Sequence, residues 1–75
     1  MLKGKFMEKV IQELNLLAHE DVSTLSVKDQ ETHYKETCKS LDILMNKKDI
    51  DLDDYESLME IKAFVLSKIK NLKID

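Results

Sequence analysis

Residues 50–72 have the sequence IDLDDYESLMEIKAFVLSKIKNL, which contains neither proline nor glycine. Asp51 precedes an apolar repeat and can cap a helix, while Ile50 and Tyr55 occupy the two positions of a hydrophobic staple. Acidic residues lie in the first turns and lysines in the last ones, as the helix dipole favours. The stretch therefore predicts a helix over residues 52–72. Its apolar arc consists of Tyr55, Leu58, Met59, Ile61, Val65, Leu66, Ile69 and Leu72.

The two preceding stretches are also amphipathic. Ser26 can cap a second helix over residues 27–48, and Asp29 stands three residues later, as in a weak capping box. The stripe of this helix is narrow and spaced like a coiled-coil seam. It consists of Val27, Tyr34, Cys38, Leu41 and Met45, flanked by Leu44.

A first helix is predicted over residues 2–20, ahead of a polar break at residues 21–24. Its stripe consists of Phe6, Val10, Leu14 and Leu17, widened by Met7, Ile11 and Ala18. Leu16 and Ile43 fall outside the stripes of their helices. Isolated exposed apolar residues are common, but several of them on a small chain favour a second surface.

The whole chain has 75 residues, no proline and one glycine, Gly4, which predicts an all-α fold. We expect residues 1–75 to form a single domain of three helices, the last two making an antiparallel hairpin because the turn between them is short. A chain of this length has a thin stability margin. Its single cysteine, Cys38, excludes an internal disulfide. We therefore expect a partner chain, identical or different, to complete the bundle.

The charge pattern bears on the class of partner. The net charge is −3, and all twelve basic residues are lysines. Phosphate recognition needs a basic surface and commonly uses arginine, so nucleic acid is not expected as a partner. No apolar run approaches the length of a membrane span, and the amino-terminal residues lack the apolar core of a secretory signal. With one free cysteine, the chain is expected in the cytoplasm.

Candidate catalytic and metal-binding residues are sparse. Asp49, Asp51, Asp53 and Glu60 match the acidic positions of an EF-hand loop, but the sixth place, Asp54, lacks the glycine that the loop requires. An acid-rich helix start explains them better. His33 and Cys38 lie five residues apart and point about 140° apart on a helix. We therefore predict no catalytic residue, no metal and no cofactor, and hence no enzyme.

Lys62 lies inside the apolar arc of the third helix. Its stem can pack while its ammonium reaches solvent, or it can pair with Glu13, Glu20 or an acid of a partner. The expected register of the hairpin places residue 62 opposite residue 38. Glu31 is therefore expected to be out of reach.

These features favour a non-enzymatic protein–protein interaction module, such as a regulatory antagonist, an adaptor or a small co-chaperone, that binds through an apolar helix face. The predicted interface consists of Leu58, Ile61, Phe64, Val65, Ile69 and Leu72. Phe64 lies nearly opposite Leu66 on the helical wheel, so either it marks a second surface or the first helix covers it. The alternative is a homo-oligomeric structural bundle. A DNA-associated regulator is less favoured, because a helix-turn-helix needs a basic recognition surface.

Overall fold

A computed structural model describes residues 3–72, and the side chains of residues 7–72. Its three helices are α1 (Lys3–Ala18), α2 (Val27–Met45) and α3 (Leu52–Asn71). No strand forms between residues 3 and 72, and α2 packs most closely on α3, which confirms the all-α prediction with its helical hairpin. Over the same residues, no helix combines the length and apolar character needed to cross a bilayer. Phe6, predicted in the first stripe, lies outside the described side chains.

α1 and α2 end two or three residues earlier than the sequence predicted, and α3 ends one residue earlier. After Ala18 the backbone tightens, since the His19 amide is shared between the Asn15 and Leu16 carbonyls and the Glu20 amide donates to a carbonyl three residues back. The Asp21 carboxylate then accepts a bond from the Ser23 amide at 3.0 Å, which holds a turn. In the same way, the Lys47 amide bonds to the Leu44 carbonyl at 3.2 Å, and α2 ends at Met45 rather than at residue 48. Local turns of this kind compete with the last helical turn.

The two predicted N-caps differ in their hydrogen bonds. The Ser26 hydroxyl accepts a bond from the Asp29 amide at 3.1 Å, as predicted. Asp51 has the extended backbone of a cap residue, but its side chain makes no capping bond. Asp53 and Asp54 lie in the first turn of α3, where their charges favour the positive end of the helix dipole. α3 therefore begins where predicted, without the capping bond that the sequence suggested.

The core lies between the hairpin and the carboxyl-terminal end of α1. Leu41, Leu58 and Val65 are completely buried. The other buried apolar residues are Ala18, Val22, Tyr34, Cys38 and Ile61. Thr37 is buried as well, and its hydroxyl donates to the His33 carbonyl at 2.9 Å, so its polar group is satisfied within its own helix.

Each predicted apolar arc is wider than the face that the structure buries. Met59 and Leu66 were expected to face inward, yet about half of each side chain is exposed. The reason is that α1 lies against the opposite edge of α3, where Ile11 and Ile61 line a common cleft. Val27, at the start of the α2 stripe, is also exposed. The buried face of α3 is therefore narrower than its apolar arc.

Lys62 has a partner that the sequence analysis did not name. Its ammonium donates to the Asp42 carboxylate at 2.6 Å across the hairpin, and this bond raises the Lys62 pKa. Neither Glu13 nor Glu20 takes this place. The expected register was close, because Asp42 lies one turn beyond residue 38 on nearly the same side of α2.

Candidate functional site

The six predicted interface residues all face into the bundle. Leu58, Ile61 and Val65 are buried, and Phe64, Ile69 and Leu72 are partly buried and pack against the same core. Contact between the three buried residues and a partner would require α3 to separate from its neighbours, whereas Phe64 and Leu72 also line a surface pocket. Their role in partner binding stays a prediction.

Phe64 belongs to a cluster that joins α3 to the end of α1. Its ring stacks on the His19 imidazole, with ring centroids 4.1 Å apart and an interplanar angle of 14°. The Lys68 ammonium lies 5.2 Å from the centroid of the same ring. Stacking and cation–π contacts each stabilise such a cluster modestly. Phe64 is thus partly covered by the residue that follows α1, and the rest of its side chain lines a surface pocket with Lys68 and Leu72.

An open apolar groove lies between α1 and α2. It is lined by the apolar residues Val10, Leu14, Leu17, Ile43 and Leu44 together with Glu13 and Ser40; we call this the α1/α2 groove. Ile43 is 62% exposed and Leu17 is 39% exposed. Exposed aliphatic side chains that converge on one groove are a common feature of binding sites.

The groove has one closed end and one basic end. At the closed end, the His33 imidazole donates from Nε2 to the Leu17 carbonyl at 3.1 Å and ties α2 to the last turn of α1. Near the other end, Met7 of α1 lies in a cleft with Lys47 and Lys48, which follow α2. Both lysines are exposed. Asp49 lies in the same cleft, so two lysines stand against one aspartate and the end still favours acidic groups on a bound molecule.

The only thiol of the chain is held in its neutral form. Cys38 is buried between the hairpin helices, and the loss of solvation raises its pKa above the ordinary value of 9.0. A reactive cysteine needs the opposite, a stabilised thiolate. The histidines are tied to backbone carbonyls, His33 as described and His19 through Nδ1 to Asn15 at 2.9 Å. Cys38 and both histidines thus have structural contacts that account for their positions.

The acidic residues that resembled an EF-hand loop lie at the start of α3. Among the described residues, no three His, Cys, Asp or Glu side chains come close enough together to hold a metal ion. Asp51 is the residue before the helix, and Glu60 lies exposed well inside it. Glu60 is thus part of the helix surface. This position agrees with the interpretation of these acids as the start of a helix.

The sequence contained a partial signal for the α1/α2 groove. Helical periodicity places Ile43 outside the stripe of its helix, and it places Val10, Leu14 and Leu17 on the first stripe. What could not be inferred was that these residues meet, because that depends on the rotation of α1 against α2. The chain matches no protein-family model, no curated protein sequence and no solved structure, so no relative assigns a role to any residue.

Proposed function

We propose that the chain is a non-enzymatic interaction module that binds an amphipathic helix of another protein in the α1/α2 groove. The observation that carries the proposal is the exposure of Ile43 and Leu17 in a groove lined by aliphatic side chains from two helices. The same chain buries Leu41, Leu58 and Val65 completely. Because the chain can bury its core residues completely, the aliphatic side chains left exposed in the groove favour a binding role.

A helix is the ligand that fits the dimensions of this site. Val10 and Leu17 lie seven residues apart, so the apolar part of the groove extends about 10 Å along α1 at 1.5 Å per residue. That length accommodates about two turns of a docked helix, with anchors at positions i, i+3 or i+4, and i+7. The partner helix is expected to carry leucine-like side chains at those positions.

Charge suggests how the partner helix is oriented. Lys47 and Lys48 are exposed near the Met7 end of the groove. Acidic residues of a partner helix are favoured at that end, where they would lie beside the lysines. Such pairs mainly raise the rate of association and select the orientation. The affinity itself would come from burying Leu17 and Ile43.

The test compares two exposed apolar residues, one inside the groove and one outside it. Ile43→Asp places a charge in the groove, and Leu16→Asp places the same charge on the outer face of α1, where Leu16 is 71% exposed. Both positions are exposed, so both variants are expected to fold. Proteins captured by the wild-type chain from its native lysate would be identified, and their helical segments made as peptides.

Calorimetry with these peptides supplies the decisive comparison. We expect Ile43→Asp to weaken binding about 30-fold or more, equivalent to about 2 kcal/mol, because the aspartate would be desolvated at the centre of the interface. Leu16→Asp should leave the affinity unchanged. NMR shift changes should cluster at Val10, Leu14 and Leu44. Equal binding by the two variants would show that the partner does not use this groove.

A further inference from the structure

α3 carries a second apolar stripe on its outward side. Leu52, Met59 and Leu66 are spaced by seven residues, and their side chains are 71%, 50% and 48% exposed. Ala63, also exposed, lies between the last two. Exposed aliphatic residues that follow a single line along one helix are less common than scattered ones, because water solvates them poorly. We call this line the α3 outer stripe.

The outer stripe has the spacing of a coiled-coil seam. Positions 52, 56, 59, 63, 66 and 70 follow one another at alternating intervals of four and three residues. At 3.6 residues per turn they fall within an arc of about 80°. The remaining two positions are Glu56 and Lys70, both exposed. The stripe is therefore an apolar seam with one acid near its start and one base near its end.

The positions of these two charges indicate that the molecule bound at the outer stripe is a second copy of the chain. Glu56 and Lys70 each lie seven residues from Ala63, on opposite sides of it. If two α3 helices crossed antiparallel on a two-fold axis at Ala63, each Glu56 would lie beside the Lys70 of the other copy. A parallel pair would instead bring Glu56 beside Glu56 and Lys70 beside Lys70. The charge pattern thus complements itself in the antiparallel arrangement only.

Other features of α3 favour the same arrangement. Asp53 and Asp54 lie in its first turn, and Lys68 and Lys70 in its last, so the helix is acidic at one end and basic at the other. Antiparallel helices place these ends and their dipoles in favourable contact. At the centre, the small side chain of Ala63 permits the close approach of two helix backbones.

We propose that the chain forms a homodimer through antiparallel pairing of the α3 outer stripes of two copies, with Met59 and Leu66 packing around the partner copy's Ala63. The stripe shares no residue with the α1/α2 groove. Both surfaces can therefore be occupied at once, and either proposal can fail without the other.

The first measurement is the molar mass in solution over a range of concentrations, by light scattering and sedimentation equilibrium. The monomer has a mass of 8.8 kDa, and we expect twice that mass on concentration. Met59→Glu should weaken the dimer at least 100-fold and leave the helical content intact, because Met59 is half exposed. Leu16→Glu is the matched control and should leave the dimer unchanged. A chain that stays monomeric up to about 1 mM would overturn the proposal.

Reversing the charges of Glu56 and Lys70 tests the antiparallel register separately. This test remains valid even if Met59→Glu destabilises the fold. Glu56→Lys or Lys70→Glu alone places like charges together twice per dimer, and each should weaken self-association about tenfold. The double reversal restores both pairs and should recover the wild-type affinity. An equal mixture of the two single variants should form the mixed dimer in preference to either homodimer.

Two outcomes would refute the proposal, one its register and the other its surface. If each single reversal leaves the dimer unchanged, the α3 helices do not pair antiparallel through Ala63. If Ile43→Glu dissociates the dimer while Met59→Glu does not, two copies associate through the α1/α2 groove instead of the outer stripe.

Discussion

The two helix pairs that contain α2 are closed to different degrees. Between α2 and α3, Leu41 and Leu58 are completely buried, and the bond from Lys62 to Asp42 spans the edge of the contact. Between α1 and α2, Leu17 and Ile43 remain exposed in a groove. The hydrogen bond from His33 to the Leu17 carbonyl joins the two helices at one end of this groove. Both pairs are antiparallel and rich in aliphatic residues.

Apolar content alone therefore does not close a helix interface. Cys38 and Leu41 of α2 are turned towards the hairpin core, where Leu58 and Val65 are also buried. Ser40 and Ile43 are left at the groove, which they line together with residues of α1. Of the eight buried apolar residues in the described part of the chain, six lie in α2 or α3, whereas the α1/α2 contact leaves apolar surface exposed to solvent.

The largest expected effect compares the same substitution in the two helix pairs. Leu58→Ala removes a side chain with no exposure and should lower the free energy of unfolding by about 2–5 kcal/mol. Leu17→Ala removes one that is 39% exposed and should cost about 1 kcal/mol or less. Urea denaturation followed by circular dichroism measures both. Equal losses would show that the groove is closed in solution.

A smaller effect concerns the attachment of α1 to α3. The stack between His19 and Phe64 should contribute about 0.5–1.5 kcal/mol of coupling in a double-mutant cycle of His19→Ala and Phe64→Ala. The control cycle pairs His19→Ala with Leu66→Ala, since Leu66 lies on the other side of α3. A coupling energy no larger than in the control would mean that the stack does not hold α1 in place.

The smallest expected effect is the pH dependence of the stability of the hairpin. The pKa of Lys62 is raised above 10.5 by the bond to Asp42, so this contribution is present below pH 10.5 and is lost as the pH rises through the folded-state pKa. Burial raises the pKa of Cys38 above 9.0, so its neutral thiol is favoured and stability also falls as the pH rises above 9.0.

Asp42→Asn and Cys38→Ala separate the two contributions to the pH dependence. The first variant should lose the decline above pH 10.5, and the second the decline that begins near pH 9.0. Denaturation midpoints measured from pH 7 to pH 11 give the slopes. If both variants lose stability with rising pH as steeply as the wild-type chain does, neither Lys62 nor Cys38 causes the decline.

Much of the fold followed from local sequence signals. Ser26 was recognised as the start of α2 because a side-chain oxygen before an apolar repeat is a local feature, and the turn before α3 predicted the hairpin. The register of the hairpin came close enough to place residue 62 within one turn of its partner. These predictions needed only neighbours in sequence and the rise of a helix.

The surfaces could not be predicted in the same way. Helical periodicity gives the apolar side of α3 but not which edge a neighbour covers, so Leu66 and Ile61 looked alike although only Ile61 is buried. For Phe64 the sequence left two alternatives open, because the residue that stacks on its ring, His19, lies beyond the end of another helix. Such contacts depend on how α1 is rotated and placed, and that is decided by all three helices together.

The position of Cys38 allows the separation of α2 and α3 to be measured by the reactivity of its thiol. It is the one cysteine in the sequence, so a thiol reagent modifies a single site. Because the sulfur is buried in the hairpin core, the rate of modification in the native chain measures how often α2 and α3 separate. A molecule docked in the α1/α2 groove should not accelerate labelling. One that inserts between the hairpin helices and contacts Leu58 or Val65 should accelerate it, which makes the two modes of binding distinguishable with the unmodified protein.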